Sequence, residues 1–243
     1  VLFRSLGRLE LGEEALGCGP QPPGDPAARR ALQESGHEPG RIHNNCSGKH
    51  AGFLALTRFL GADPASYLDF DSPGQTLVRA AVAEMTDRTP EELGVAVDGC
   101  SAPTFRTPLS ALALGFARVT NPDGLAPERR AAAERIQRAV AAHPGHLAGE
   151  HRRLCTAIVR ASGGRLFPKI GAEAIYAVGV PGKDVALAVK IDDGGLRGLH
   201  AVVVELLRRF ELIDDAGARA LEQYRASVLR NWAGLEVGRV EVL

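Results

Sequence analysis

An excess of charge of either sign is missing from this chain: Lys+Arg and Asp+Glu both number 29 across 243 residues. Without a basic surplus to neutralise a phosphate backbone, nucleic acid is not an expected partner. No apolar run approaches the roughly 18 residues that a membrane span needs, so no membrane partner is expected either. No polar-headed signal peptide opens the chain, and the expectation is a soluble, cytoplasmic globular protein. The cysteines are Cys18, Cys46, Cys100 and Cys155, with no CxxC pair among them, which excludes a zinc ribbon or a thioredoxin motif. Reduced thiols are expected in that compartment. Lysine is scarce as well: only Lys49, Lys169, Lys183 and Lys190 break an otherwise all-arginine basic set. An amine can lose its proton when desolvated and act as base or ligand, whereas a guanidinium stays charged. Each lysine therefore merits individual weighing.

The sequence opens inside the amphipathic pattern VLFRSLGRLEL with Val at position 1, and the expectation is that an upstream segment is missing. Asp25 and Pro26 read as the cap and first turn of a helix over Ala27–Ser35. Gly40–Gly48 reads as a loop, followed by a helix over Lys49–Leu60. Ser72-Pro73 starts another helix that runs to about Met85. Val95–Val97 reads as a short buried strand leading into a tight Asp98-Gly99-Cys100 turn. Helices are expected over Leu109–Val119 and Pro127–Ala142. Ala174–Val180 and Asp184–Ile191, separated by Pro181-Gly182-Lys183, predict an antiparallel hairpin. An amphipathic helix over Leu199–Phe210 follows, and a last strand over Glu236–Val242 is expected to return to the sheet. With no linker long enough to separate independent units, this order predicts one α/β (α+β) domain over 1–243, an antiparallel sheet flanked by helices.

The stretch from His43 to His50, HNNCSGKH, crowds reactive side chains onto a loop entering a helix. It is not a phosphate loop, which needs Gly where His43 stands and Ser or Thr where His50 stands. Three readings fit it. Cys46 and Lys49, one helical turn apart, can converge on a zinc ion with Cys100 as a third donor. Lysine is an uncommon zinc ligand because it must first be deprotonated. Alternatively, Lys49 lowers the Cys46 thiol pKa and Cys46 is a nucleophile. In the third reading Asn and Ser simply cap a helix start. Cys155 reads as a buried small hydrophobe, and Cys18 has no evident partner. Lys169, in Lys169-Ile170-Gly171-Ala172-Glu173, is either a general base beside a sheet edge or half of a surface pair with Glu173. Of the seven histidines only His50 lies in a reactive cluster.

NNCSGKHAGFLAL (44–56), VDGCSAPTF (97–105), KIGAEA (169–174) and KIDDG (190–194) together resemble the rhizobial-type asparaginase II family. The resemblance implies a fold similar to serine β-lactamases and glutaminases, and hydrolysis of L-asparagine to L-aspartate and ammonia by a homodimer. It implies zinc held by Cys46, Lys49 and Cys100, near the substrate. His50 and Asp98 would be polar neighbours, with Asp98 orienting Lys49 by a hydrogen bond. Lys169 matches the catalytic lysine of a Ser–Lys pair. The family's Ser-x-x-Lys tandem and second serine are not found in these residues, and position 174 is Ala where Gly is usual. The expectation is an asparaginase whose 243-residue fragment is nearly inactive alone. A non-catalytic zinc- or ligand-binding domain is the alternative.

Overall fold

The computed structural model describes residues 2–225 and 227–242. Its contacts divide into two compact units, Val1–Glu84 with Arg88–Thr107, and Met85–Asp87 with Pro108–Leu243. Helices and small antiparallel sheets make the fold α+β. No described helix is long and apolar enough to cross a membrane.

The first unit contains α1 (Leu2–Arg8), α2 (Pro26–Glu34), α3 (Ser47–Phe59), most of α4 (Pro73–Thr86), and the hairpin β1 (Gly94–Val97) and β2 (Pro103–Arg106). The Asp25 carboxylate accepts the Ala28 N–H at 2.9 Å, and Pro26 follows at a position where its missing N–H leaves nothing unpaired. Helix α3 starts at Ser47, inside the stretch read as loop, and buries Ser47, His50, Ala51, Leu54 and Thr57 along one face. It ends in a Schellman turn, with Gly61 N–H on Arg58 O and Ala62 N–H on Thr57 O, both at 3.0 Å, and Gly61 at φ +67°. Leu6, Leu16, Leu54, Tyr67 and Ala102 form the core with Cys18 and Cys100.

Two expectations need correction here. Cys18 does have a partner: its thiol donates to Arg41 O at 3.6 Å. Strand β1 forms where expected, but it is not buried; Val95 is 43% and Val97 64% exposed. A short β-branched run signals a strand without saying whether another layer covers it.

The second unit contains α5 (Leu109–Thr120), α6 (Pro127–Ala142), α7 (Pro144–Ala148), α8 (Leu154–Ala161), β3 (Phe167–Ile170), β4 (Ile175–Val180), β5 (Val185–Lys190), α9 (Leu196–Arg209), α10 (Asp215–Arg225), β6 (Ser227–Arg230) and β7 (Glu236–Val240). Strands β3, β4 and β5 form an antiparallel sheet in that order, so β4 is central. Alternation gives β4 two unlike faces. Tyr176, Val178 and Val180 join a core with Leu154 and Ile158 of α8, Leu199, Val203 and Leu207 of α9, and Leu221 of α10. Gly179 points the other way, where α5 packs so closely that a Cβ would lie 2.5 Å from Thr120 Cγ2 and 2.8 Å from Phe116 O. Cys155 is buried as expected and also accepts the Tyr176 hydroxyl at 3.1 Å. Among the described residues the last strand does not return to this sheet; β7 pairs with β6 in a separate two-stranded ribbon. Helix α9 begins at Leu196, almost a turn earlier than its apolar pattern indicates.

Glu205, on α9, is 4% exposed and gathers three guanidiniums. Arg208 approaches it at 2.6 Å, Arg209 at 2.9 Å and Arg225 of α10 at 3.5 Å. Hydrogen bonds from Arg208 and Arg209 hold its carboxyl down to about 2. A carboxyl depressed by folding stabilises the native state above its unfolded pKa and loses that contribution as pH falls through its folded value. Glu205→Gln is therefore expected to lower stability by about 1–2 kcal/mol at neutral pH, since the half-exposed arginines keep water as a substitute partner. The gap from the parent chain should close as pH drops from about 4.5 to about 2, as read by thermal circular dichroism across that range. A gap that widens with acid would contradict this assignment. Gly179→Ala should cost about 1–3 kcal/mol through overpacking of α5 on β4, seen as a lower denaturant midpoint.

Candidate metal centre

Two turns of the first unit bring the reactive residues together. The first is the start of α3. Asn44 Oδ1 accepts the Cys46 N–H at 2.8 Å, while its Nδ2 donates to Cys18 O at 2.6 Å and ties the turn to the preceding segment. Asn44 thus shapes the turn before the helix, and the Cys46 thiol makes no cap hydrogen bond and lies half-buried at the helix entrance. Lys49 follows one turn later on the same side.

The second turn joins β1 to β2. Asp98 N–H donates to Ala102 O at 2.8 Å and Ser101 N–H to Asp98 O at 2.9 Å, with Ser101 in the left-handed region at φ +72°. The Gly99 N–H fixes Asp98 Oδ1 at 2.7 Å. This leaves Oδ2 to receive the Lys49 ammonium at 2.8 Å and the Cys100 thiol at 3.4 Å. The ligand atoms of Cys46, Asp98 and Cys100 all lie within 4.8 Å of one another. Cys100 is 5% exposed, while the Lys49 and Asp98 side chains are 36% and 32% exposed, so the cluster has a dry side and an open side.

The charges explain the protonation tendencies. Burial pushes the Cys46 thiol up, and the pull of Lys49 in the other direction does not cancel it. Burial also works against a charged Lys49, yet hydrogen bonds to Asp98 and Cys100 outweigh it and hold the amine above its ordinary range. Asp98 is held below the ordinary carboxylate range, chiefly by the Lys49 hydrogen bond. The resting cluster is an ammonium–carboxylate pair beside two sulfurs. That state runs against Cys46 as an activated nucleophile, because the net effect on its thiol is upward.

The donor set fits a borderline-soft divalent ion. Two thiols with a carboxylate or an amine are a zinc-type set, and sulfurs on a tetrahedral zinc sit about 3.8 Å apart given metal–sulfur bonds of about 2.3 Å. A separation within 4.8 Å is compatible with this spacing.

Of the other singled-out residues, His50 is fully buried behind the cluster, with Nδ1 2.6 Å from the Tyr67 hydroxyl. Lys169 belongs to the second unit, on edge strand β3, where it is exposed and donates to Ile170 O at 2.6 Å. Among the described residues no ion pair joins it to Glu173. Sequence reasoning passed over Tyr67, which no spacing links to His50 seventeen residues earlier. Asp98 lies closer to the ligand positions than a mere neighbour needs to.

The chain matches the sequence model of the family described as L-asparaginase II over residues 1–242, and it belongs to that family. Among curated proteins nothing matches it. Family membership marks the chain as an amidohydrolase-type protein acting on a small molecule, and it fits a β-lactamase-like α+β fold.

Alkylation of Cys46 in metal-free protein should follow a pH midpoint above that of an unperturbed thiol. Lys49→Met should move it further up, because it removes the positive charge that pulls the thiol down. Iodoacetamide labelling followed by peptide mass spectrometry reads both shifts. A midpoint below the unperturbed value would restore the nucleophile reading.

Proposed function

We propose that this chain carries the metal centre and the general-base lysine of an L-asparaginase-type amidohydrolase, which converts L-asparagine and water to L-aspartate and ammonia. The observation behind this reading is the convergence of Cys46, Lys49, Asp98 and Cys100 in a chain that belongs to the L-asparaginase II family. In this reading Cys46 and Cys100 bind zinc as thiolates. Lys49 gives up a proton to become the third ligand, and Asp98 Oδ2 accepts a hydrogen bond from the remaining N–H. The 2.8 Å ammonium–carboxylate pair also suits a variant in which Asp98 ligates directly and Lys49 stays charged. Bound zinc would supply a Lewis-acid anchor that positions the substrate. A homodimer and a cytoplasmic setting belong to the same proposal.

The chemical step falls to Lys169. Its Nζ takes the proton of a serine hydroxyl while the oxygen attacks the side-chain amide carbon. That proton then leaves on the departing nitrogen as ammonia, and water cleaves the resulting ester to aspartate. No Ser-x-x-Lys tandem occurs in the 243 residues, and no described serine bonds Lys169. The chain alone is therefore expected to release ammonia from asparagine at background rate. A polypeptide carrying both this chain and a Ser-x-x-Lys segment from its own reading frame should turn over asparagine when zinc-loaded. In that protein Lys169→Met should lower kcat by about 10²–10⁴-fold. A folded, zinc-loaded protein of that kind without ammonia release would overturn the proposal. The missing tandem favours, as a second reading, a non-catalytic zinc-binding domain, which a reading frame without the tandem would support.

A further inference from the structure

Behind the donor cluster the first unit holds a line of buried polar contacts that ligand chemistry alone does not demand. The Gly17 N–H donates to the Tyr67 hydroxyl oxygen at 2.6 Å. The same oxygen lies 2.6 Å from His50 Nδ1. Tyr67 is 4% exposed and His50 fully buried. The other ring nitrogen, His50 Nε2, is buried with no hydrogen-bond partner among the described residues, and the Cys100 backbone lies close to the ring.

The direction of this line is fixed at its far end. A backbone N–H can only donate, so the Tyr67 oxygen accepts from Gly17. The phenolic proton then finds its acceptor at His50 Nδ1. A neutral imidazole that accepts at Nδ1 carries its proton on Nε2. The opposite tautomer would set two N–H donors against one oxygen and bury a phenolic proton with no acceptor, which a dry site penalises. Gly17 belongs to the same device: a Cβ there would lie 2.9 Å from the Tyr67 oxygen and 2.6 Å from Leu68 Cδ1, so only glycine lets the hydroxyl reach the backbone.

We propose that Tyr67 is a positioning residue for the metal centre: it fixes the His50 tautomer so that an Nε2–H is held against the loop carrying Cys100, and thereby orients that ligand for a divalent cation. The tautomer half of this inference stands on the hydrogen bonds alone. The ligand-orienting half rests on the zinc reading given above.

Two measurements separate the halves. In the chain labelled with ¹⁵N-histidine, long-range proton–nitrogen spectra of the metal-free protein should show His50 protonated at Nε2. In Tyr67→Phe they should show Nδ1 protonation or a mixture. Zinc affinity, measured by competition with a chromophoric chelator, should fall about 10–100-fold in Tyr67→Phe and in Gly17→Ala, the scale usual for groups that orient a ligand. Gly17→Ala keeps the hydroxyl but displaces it, and it carries the test if Tyr67→Phe does not fold. Protonation of the parent His50 at Nδ1 overturns the relay. A folded Tyr67→Phe chain with unchanged spectra and parental zinc affinity overturns the positioning role. A parent chain that binds no zinc overturns the metal reading and the ligand-orienting half with it, while the spectra still judge the tautomer.

Discussion

The first unit is organised around one ion pair that joins two turns distant in sequence. Lys49, on the opening turn of α3, meets Asp98, on the β1–β2 turn, at 2.8 Å, and the two sulfurs lie beside them. A lone, partly exposed pair of this kind contributes little stability. Its importance is electrostatic and geometric. Two thiols and a carboxylate share a small volume beside the Lys49 ammonium. Burial holds the Cys46 thiol up, while the Lys49 hydrogen bond holds the Asp98 carboxyl down. The divalent cation proposed for this site would bring positive charge to the point where the donors converge.

The surroundings of the cluster serve the same end. Asn44 shapes the turn that leads into α3, where the Cys46 side chain makes no cap hydrogen bond. The Gly99 N–H takes one Asp98 oxygen and turns the other toward Lys49 and Cys100. Cys100 is packed into the core with Leu54 and Tyr67, so one wall of the site is rigid while Lys49 and Asp98 face water. In the second unit the demands are different. There β4 buries large side chains on one face and presents Gly179 on the other, which lets α5 pack closely over the strand preceded by Lys169-bearing β3. Glu205 ties α9 to α10 through shared guanidiniums.

Much of this was legible in the residues, and the parts that were not have physical reasons. The α2 cap, α6 and the β4–β5 hairpin follow local rules, since Asp-Pro, an Ala/Arg-rich run and a Pro-Gly-Lys turn each act within a few positions. The grouping of Cys46, Lys49 and Cys100 was one of three readings that local spacing left open, and the family resemblance is what singled it out. Exposure of β1 was not readable, because a valine-rich run looks alike whether or not another layer covers it. The pairing of β7 with β6 was missed because strand β6 carries no distinctive alternation of its own. Tyr67 was invisible for a different reason: its role comes from a tertiary approach to Gly17 and His50, with no periodicity to announce it. Where Asp98 sits, between neighbour and ligand, depends on distances of tenths of an ångström that no spacing encodes.

The central claim is that these donors form one metal centre. X-ray absorption at the zinc edge, on the reduced chain loaded with one equivalent of zinc, tests it most directly. The account predicts a four-coordinate shell with two sulfurs at about 2.3 Å and the remaining positions filled by nitrogen or oxygen at about 2.0–2.2 Å. A shell without sulfur, or zinc that washes off the folded protein during gel filtration, would contradict it.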